Sequence, residues 1–477
     1  MWQLKKEKSK PVYQQIVELI LDYIDQGHLL PGEKIPSERK LAELLNVNRT
    51  TIVHALDELV SMGVIVRKRG SGTSVNDGKW GVYRGSTIDW RQYLSQGSTL
   101  KNHEYNQKVQ LLLSNEKELR LLDVYSGDLP LGLVPELDLP TISWKEFLNE
   151  EKRQDNYGYF PLRKVIVKRL NQINKLKLNV DNLMLTPGAQ QALLLLVQVL
   201  LNNGDAIAIE EPSSFYQLPM FQAAGIRVYG IPVDKEGMRV DLLEEKILKN
   251  RIKMVLVNPN YQNPTGTTMG LKRRKALIDL CRKYQLPIVE DDVFGELYFD
   301  EESRPPLLKK MDPENVIYIG SFSKILGATT KIGWVSGPVK VIEKLAKIRS
   351  ELDLNMSIFP QVLAYNALEN KTYESQMSHL RIVLFEKMTD LVARLDEKLK
   401  DEVTYYIPEG GCYLWLTFKN VRITITDYDF LLTKGVLVTP GFVLGSGPQS
   451  MRINFSRLTP EQSVILVDAL VEMIGKR

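Results

Sequence analysis

Cysteine and histidine are scarce in this chain of 477 residues, which holds two Cys and four His. A disulfide scaffold needs more thiols, and a metal centre needs ligands at close spacing that these scattered residues do not provide. Cys281 and Cys412, in helix-like and strand-like apolar surroundings, read as small core residues. Long apolar runs are missing as well. The longest, around Ala192 to Leu201, is interrupted by Gln198 and falls far short of the ~20 residues a bilayer crossing requires. No signal-peptide pattern precedes Pro11, so the expectation is a cytoplasmic protein without a membrane partner. Neither sign of charge dominates, the formal net charge being +4, so nucleic-acid binding cannot be argued from bulk charge. Internal repeats and low-complexity tracts are absent. What remains is 44% hydrophobic content, enough core for two or three globular domains.

Within that ordinary composition one segment stands out, Gly320-Ser-Phe-Ser-Lys-Ile-Leu-Gly327. A lysine behind two small hydroxyl residues suits an aldehyde cofactor that carries a phosphate, as pyridoxal 5'-phosphate does. Lys324 would form the imine, while Ser321, Ser323 and a cation a few residues on would bind the phosphate. Four common residues prove little alone, since an isolated Lys is usually a solvated surface residue. The chain supplies more. Thr186, Pro187 and Gly188 punctuate the sequence before an apolar run, reading as a helix N-terminus whose backbone N–H groups at Gly188, Ala189 and Gln190 would face an anion. Val255-Leu-Val-Asn-Pro-Asn-Tyr-Gln-Asn-Pro-Thr-Gly266 is a β-rich run ending in a Pro/Gly loop, where α/β sheets collect ligands. Asn263 there could donate a side-chain N–H to a ring oxygen. Leu286 to Phe294 is a further buried parallel strand, ending in carboxylates that could pair with a protonated ring nitrogen.

In the order of these motifs, residues 121–477 resemble the class I aminotransferases of fold type I. The resemblance implies a mixed, mostly parallel α/β sheet with a small C-terminal α+β subdomain. It makes Lys324 the Schiff-base lysine, Asp291 the partner of the pyridine nitrogen and Asn263 the contact to the ring hydroxyl. Gly188, Ala189, Gln190, Ser321, Ser323 and Lys331 would hold the phosphate. Met451-Arg-Ile-Asn-Phe-Ser456 matches the family's RLNF segment, which implies that Arg452 clamps a substrate carboxylate bidentately. Four departures accompany the matches. Lys331 stands where the family has a phosphate-binding arginine, Phe294 where it has a tyrosine, and Ser214 where it has an aromatic, leaving Phe215 or Tyr216 to stack on the ring. The lysine loop, Ile325 to Lys331, also lacks its usual Pro-Gly. Cofactor binding survives these changes better than efficient transamination does.

The N-terminal region reads differently. Pro11 to about Gly27 forms an amphipathic helix, and Ser37 caps a second, short helix. After Leu45-Asn-Val-Asn48 a third opens with Arg49-Thr-Thr51 and is expected to bury Val53, Leu56, Leu59 and Val60. Two helices joined by a short turn fit a helix-turn-helix, whose second helix sets its N-terminus on base edges. Val64 to Val75 is strand, glycine turn, strand, carrying Arg67, Lys68 and Arg69 as a wing beside phosphates would. Charge alone says little, with 11 Lys and Arg against 9 Asp and Glu over residues 1–75. The PVYQQI, LPGEKIPSER, LAELLNVNRTT and GSGTSV blocks are similar, in order, to the winged-helix domain of GntR-family regulators. That resemblance implies double-stranded promoter DNA as partner, with Arg39, Arg49, Thr50, Thr51, Arg67 and Lys68 as contacts and Gly70 and Gly72 shaping the wing. A winged helix used only for protein contacts is the alternative.

A winged helix over 1–75, a linker over 76–120 and an aminotransferase-like domain over 121–477 is the arrangement of MocR/GabR-type regulators. Trp80, Tyr83, Trp90 and Tyr93 are more aromatics than a pure spacer carries. The arrangement implies a regulator in which an amino-acid-like effector, or pyridoxal phosphate itself, is sensed through an aldimine. It also implies a homodimer exchanged head to tail. A working aminotransferase carrying a DNA-binding domain is the competing reading, against which Phe294 and Lys331 count. A cofactor-free descendant of the fold is a third.

Overall fold

A computed structural model describes residues 2, 10–25, 28–30, 32–68, 72–76, 104–114, 120–136, 141–302, 304–328, 330–352 and 356–475. The chain divides into two compact units, Met1–Thr99 and Leu100–Arg477.

In the smaller unit, helices Val12–Asp25, Glu38–Leu45 and Arg49–Ser61 are followed by a hairpin of Ile65–Lys68 and Gly72–Val75. Ser37 caps the second helix by accepting from the Lys40 amide, and Asn48 caps the third by accepting from Thr50. Between them Asn46 takes a left-handed conformation with φ of 50°, which turns the chain sharply enough to cross the helices. The third helix buries Ile52, Ala55, Leu56 and Leu59. Leu56 and Leu59 are as expected, whereas Val53 is only half-buried and Val60 is exposed. The 3.6-residue period fixes one stripe, and that stripe runs through 52, 55, 56 and 59.

The larger unit is built on an eight-stranded sheet. Its order is Leu183–Thr186, Gly333–Ser336, Val316–Ser321, Ile288–Asp291, Ile252–Val257, Ala206–Glu211, Arg227–Asp234 and Gly237–Met238. Gly333–Ser336 runs antiparallel to both neighbours, while the strands from Val316–Ser321 through Arg227–Asp234 pair in parallel. The C-terminal ends of the parallel strands therefore share one edge, and Thr186, Val257, Asp291 and Ser321 all reach it. Helices on both faces bury near-continuous apolar strands such as Ile252–Val257. A separate antiparallel sheet of Val403–Thr404, Tyr413–Phe418, Ser450–Asn454 and Thr439–Pro440 packs with the helices Tyr373–Leu399 and Pro460–Gly475, forming the expected smaller α+β part.

The region assigned to a linker is partly structured. Residues 104–114 form a helix whose Tyr105 and Val109 are buried in the larger unit's core, and the Tyr105 hydroxyl donates to the Val438 carbonyl at 2.9 Å. Its mixed polar composition hid a narrow apolar stripe. Trp80, Tyr83, Trp90 and Tyr93 lie outside the described residues. Among the described residues no helix is long and apolar enough to cross a membrane.

Candidate functional site

At the shared strand edge a cavity of about 310 Å³ is lined by Lys324, Asp291, Asn263, Arg452, Ala189 and Gln190, together with residues the sequence did not single out. Each key side chain arrives on its own element. Asp291 ends its strand, Lys324 follows the strand that ends at Ser321, and Arg452 sits mid-strand opposite Trp415 and Thr439.

Asp291 is buried and its Oδ1 has no partner. Burial first, and the adjacent Asp292 charge second, push its carboxyl up to about 7. A cationic ring nitrogen is what such an orphan lacks. Asp292 is turned elsewhere, accepting from Asn260 at 2.7 Å and from the Tyr318 hydroxyl at 3.0 Å. Arg452 is 5% exposed. It donates to Asn263 Oδ1 at 2.9 Å, to the Tyr125 carbonyl at 2.9 Å and to Thr439 Oγ1 at 3.1 Å, and lies 4.3 Å over the Tyr413 ring. Its Nε is buried and unpartnered. Because Arg452 occupies the amide oxygen of Asn263, the Nδ2 of that amide remains as the donor toward the cavity.

Lys324 Nζ donates to the Gly127 carbonyl at 2.9 Å and to Asp128 Oδ1 at 3.1 Å. Burial pulls this amine down, but Tyr413 and Asp128 outweigh burial and hold it above the ordinary lysine range. The Ser321 hydroxyl donates to the Ile332 carbonyl at 2.9 Å and accepts from the Ser323 amide at 3.1 Å, and Ser323 Oγ lies 3.5 Å from the same carbonyl. Ser323 Oγ stands beside the Ala189–Leu200 helix start, 3.9 Å from where a Cβ on Gly188 would lie, and neither serine lines the cavity itself. Gly188, at φ of 82°, precedes that helix. Its amide differs from expectation, being taken by the Thr186 carbonyl at 2.7 Å, so the free first-turn donors begin at Ala189 and Gln190. Lys331 is exposed, with φ of 42°, one residue before the Ile332 carbonyl that the serines share; its side chain does not line the cavity.

These features suit a pyridoxal phosphate group. A buried unpartnered carboxylate stands opposite a primary amine, and a helix N-terminus flanked by hydroxyls could receive a phosphate. A Cβ on Gly333 would fall 2.6 Å from the Gly188 carbonyl carbon and 2.8 Å from the Ala189 nitrogen, so glycine there lets the strand approach the helix end. Phe215 is the aromatic of its segment that lines the cavity, whereas Tyr216 is directed to Glu211.

Sequence reasoning missed Asn258 and Tyr413. Asn258 is buried and ties the site together, donating to the Asp291 carbonyl at 2.7 Å and accepting from the Asn263 amide at 2.8 Å, while its own amide donates to Glu210 at 2.9 Å. Tyr413 donates to the Gly127 carbonyl at 3.0 Å and packs edge-on against Phe294. Its position in an apolar alternating strand disguised it as core.

The candidate DNA-facing residues share the smaller unit. Arg39, Arg49, Thr50, Lys68 and Gly72 are exposed, and Thr51 is half-buried. Lys68 pairs with Gly72 across the hairpin, and Gly72 has φ of 94°; Arg69 and Gly70 lie outside the described residues. Glu38 accepts from Arg49 at 3.1 Å and stands 3.5 Å from Arg67, which also pairs with Asp57; Arg39 lies 3.7 Å from Glu43. The exposed arginines are thus held by their own domain's carboxylates.

A helix-turn-helix with a wing, joined to a sheet whose strand ends gather a lysine, a carboxylate and an arginine, defines a DNA-binding protein with an aminotransferase-like domain. Residues 12–75 match the bacterial regulatory proteins of the gntR family, and residues 128–470 match aminotransferase class I and II. The chain belongs to the GntR regulators of the MocR/GabR type, in which these two domains are fused. It is 34% identical over 95% of its length, and 94% of the relative's, to the uncharacterized HTH-type transcriptional regulator YisV of Bacillus subtilis. It is 31% identical to the HTH-type transcriptional regulator NorG of Staphylococcus aureus over 89% of this chain and 95% of that one. Among solved structures, the multiple substrate aminotransferase of Thermococcus profundus superposes with a TM-score of 0.71 at 28% identity, covering 82% of this chain and 99% of that one. The α-aminoadipate aminotransferase LysN of Thermus thermophilus, complexed with N-(5'-phosphopyridoxyl)-L-leucine, gives 0.69 at 25% identity, covering 82% and 99%.

Proposed function

We propose that this transcription regulator binds promoter DNA in the cytoplasm through its winged helix, and senses a small amine-bearing carboxylic acid in a cavity that holds pyridoxal 5'-phosphate. The observation that carries this reading is the convergence of Lys324, Asp291 and Arg452 on one cavity. When bound, the cofactor supplies an aldehyde carbon at which one primary amine can replace another. Asp291 provides the counter-charge for the ring nitrogen, and Asn263 Nδ2 a hydrogen bond for the ring oxygen. The first-turn amides at Ala189 and Gln190, with Ser321 and Ser323, take the phosphate, and Lys331 adds positive charge nearby. Arg452, already oriented by Asn263, Thr439 and Tyr125, offers its unpartnered Nε to the effector carboxylate. Phe294 contributes no proton-handling group, which favours recognition over turnover. A head-to-tail homodimer would present two winged helices to paired half-sites.

The test is visible spectroscopy of purified protein supplied with pyridoxal phosphate, followed by a titration series of amino acids and amines lacking a carboxylate. The expected result is a cofactor band that shifts with amino acids, with Arg452→Lys losing the preference for carboxylates. A DNA response to the cofactor alone would assign the effector role to pyridoxal phosphate. Rapid catalytic consumption of the amino acid would support the enzyme reading instead.

A further inference from the structure

Lys324 has an anionic partner that none of the roles above requires. Its Nζ is 2.9 Å from the Gly127 carbonyl and 3.1 Å from Asp128 Oδ1. The segment carrying these acceptors is firmly held. Asp123 Oδ1 accepts from the Tyr125 and Ser126 amides, Asn454 donates to the Ser126 carbonyl at 2.7 Å, and Arg457 pairs with Asp123 at 2.8 Å. A Cβ on Gly127 would crowd the Tyr413 hydroxyl at 3.0 Å and touch Lys324 Nζ at 3.4 Å, so glycine leaves both groups their room.

The other titratable groups around Nζ do not replace Asp128. Tyr413 is buried with its phenol pushed upward, and burial pushes the Cys412 thiol up to about 11, so each raises the amine only in the alkaline range where it ionises, and near pH 7 neither carries the negative charge that Asp128 does. Asp291 faces the same cavity, but its Oδ1 is unpartnered and it makes no hydrogen bond to Lys324. Arg452 is a cation. Among the described residues, Asp128 is therefore the only carboxylate in hydrogen-bonding contact with the amine.

We infer that Asp128 is a positioning residue that, with the Gly127 carbonyl, forms the resting place of the Lys324 ammonium whenever Nζ is not bonded to the cofactor. The inference rests on the proposed sensing role and gives it a regulating group. Two consequences of opposite sign follow. In the cofactor-free chain the ammonium must lose a proton and leave Asp128 before its lone pair can attack an aldehyde, a condensation that forms C=N and releases water. Asp128 thus slows capture. When an effector ammonium displaces the lysine, one C=N bond breaks and another forms; with both imines protonated, the effector nitrogen keeps one proton and passes two to Nζ, which retains its own and leaves as the ammonium. Asp128 stabilises that released ammonium and so strengthens effector binding.

Full-length Asp128→Asn, Asp128→Glu and unmodified protein would be compared in three measurements. In the cofactor-free protein, the pH dependence of Lys324 labelling by a small aldehyde with borohydride, read by peptide mapping, should move to lower pH in Asp128→Asn. Capture of pyridoxal phosphate at pH 7 should be a few-fold faster, and the amino acid concentration that half-shifts the visible band a few-fold higher, the scale of an ion pair whose carboxylate is half-exposed. Asp128→Glu should recover part of each change. Loss of both capture and displacement would mark Asp128 as merely structural, and an unmoved labelling profile would overturn the inference. Failure of the unmodified protein to take up cofactor would sink the sensing role, while the labelling profile would still decide whether Asp128 controls Lys324.

Discussion

Arg49 and Arg452 are the same residue in opposite circumstances. Arg49 has a side chain 68% exposed and leans on Glu38, whereas Arg452 is 5% exposed and is fixed by three hydrogen-bond acceptors and an aromatic face. An exposed ion pair contributes roughly 0–1 kcal/mol, so a DNA phosphate or base edge can take Arg49 from Glu38 at little cost. A buried guanidinium cannot exchange partners so freely, and it recognises whatever satisfies the donor it still has. The smaller unit suits reversible, salt-sensitive contact with a long polyanion. The cavity suits selection of one small molecule by shape and charge.

The largest effect is expected from Lys324→Ala. It should abolish the visible cofactor band outright while leaving winged-helix binding to DNA intact, with borohydride labelling of the unmodified protein found on Lys324. Labelling at another lysine would contradict the assignment. Asp291→Asn should come next, weakening cofactor binding by about 2–3 kcal/mol through loss of a buried counter-charge, while Asp292→Asn should leave the band in place. This variant also carries a pH signature. A carboxyl raised to about 7 in the folded chain binds its proton more tightly folded than unfolded. Cofactor-free protein therefore loses stability as pH rises from about 4 to about 7. Asp291→Asn should lose less over that window in thermal melts. Some slope should remain, because burial also raises Glu290 to about 7 and Glu210 to about 8.

Effects on the DNA side should be smaller and graded. Arg49→Ala should cost roughly 1–3 kcal/mol at a cognate site and less on scrambled DNA. Equal losses on both would make it a phosphate contact. Lys68→Ala should weaken every sequence alike and reduce the salt slope by about 1. The smallest change is expected from Glu38→Gln. Releasing Arg49 and Arg67 should raise affinity for any DNA by less than tenfold in gel shifts, and a loss of affinity would mean that Glu38 orients the arginines rather than restraining them.

Much of the fold could be read from local pattern, because central strands of the large sheet such as Ile252–Val257 and Val316–Ser321 are short, largely apolar runs, and Ser37 and Asn48 are cap residues in cap positions. The lysine, the strand-end aspartate and the cavity arginine were legible because each lies in a compact motif. Asn258, Tyr413 and Asp128 were not. Their importance comes from contacts with residues distant in the chain, such as Tyr413 with Gly127 and Lys324 with Asp128. The 104–114 helix was overlooked because only Tyr105 and Val109 of it are fully buried, and its other ties, such as Lys108 to Asp429, reach residues distant in the chain. Val53 and Val60 show the reverse error, in which apolar residues near a helical period fall beside the stripe that packs.

Occupancy of the Lys324–Arg452 cavity is expected to be read out on DNA. This is tested most directly by footprinting the full chain with pyridoxal phosphate on its promoter, with and without the amino acid that best shifts the visible band, while keto acid is assayed in the same sample. A changed footprint with little or no keto acid formed is expected, and no change in Lys324→Ala. An unchanged footprint beside rapid, multiple-turnover keto acid production would contradict it.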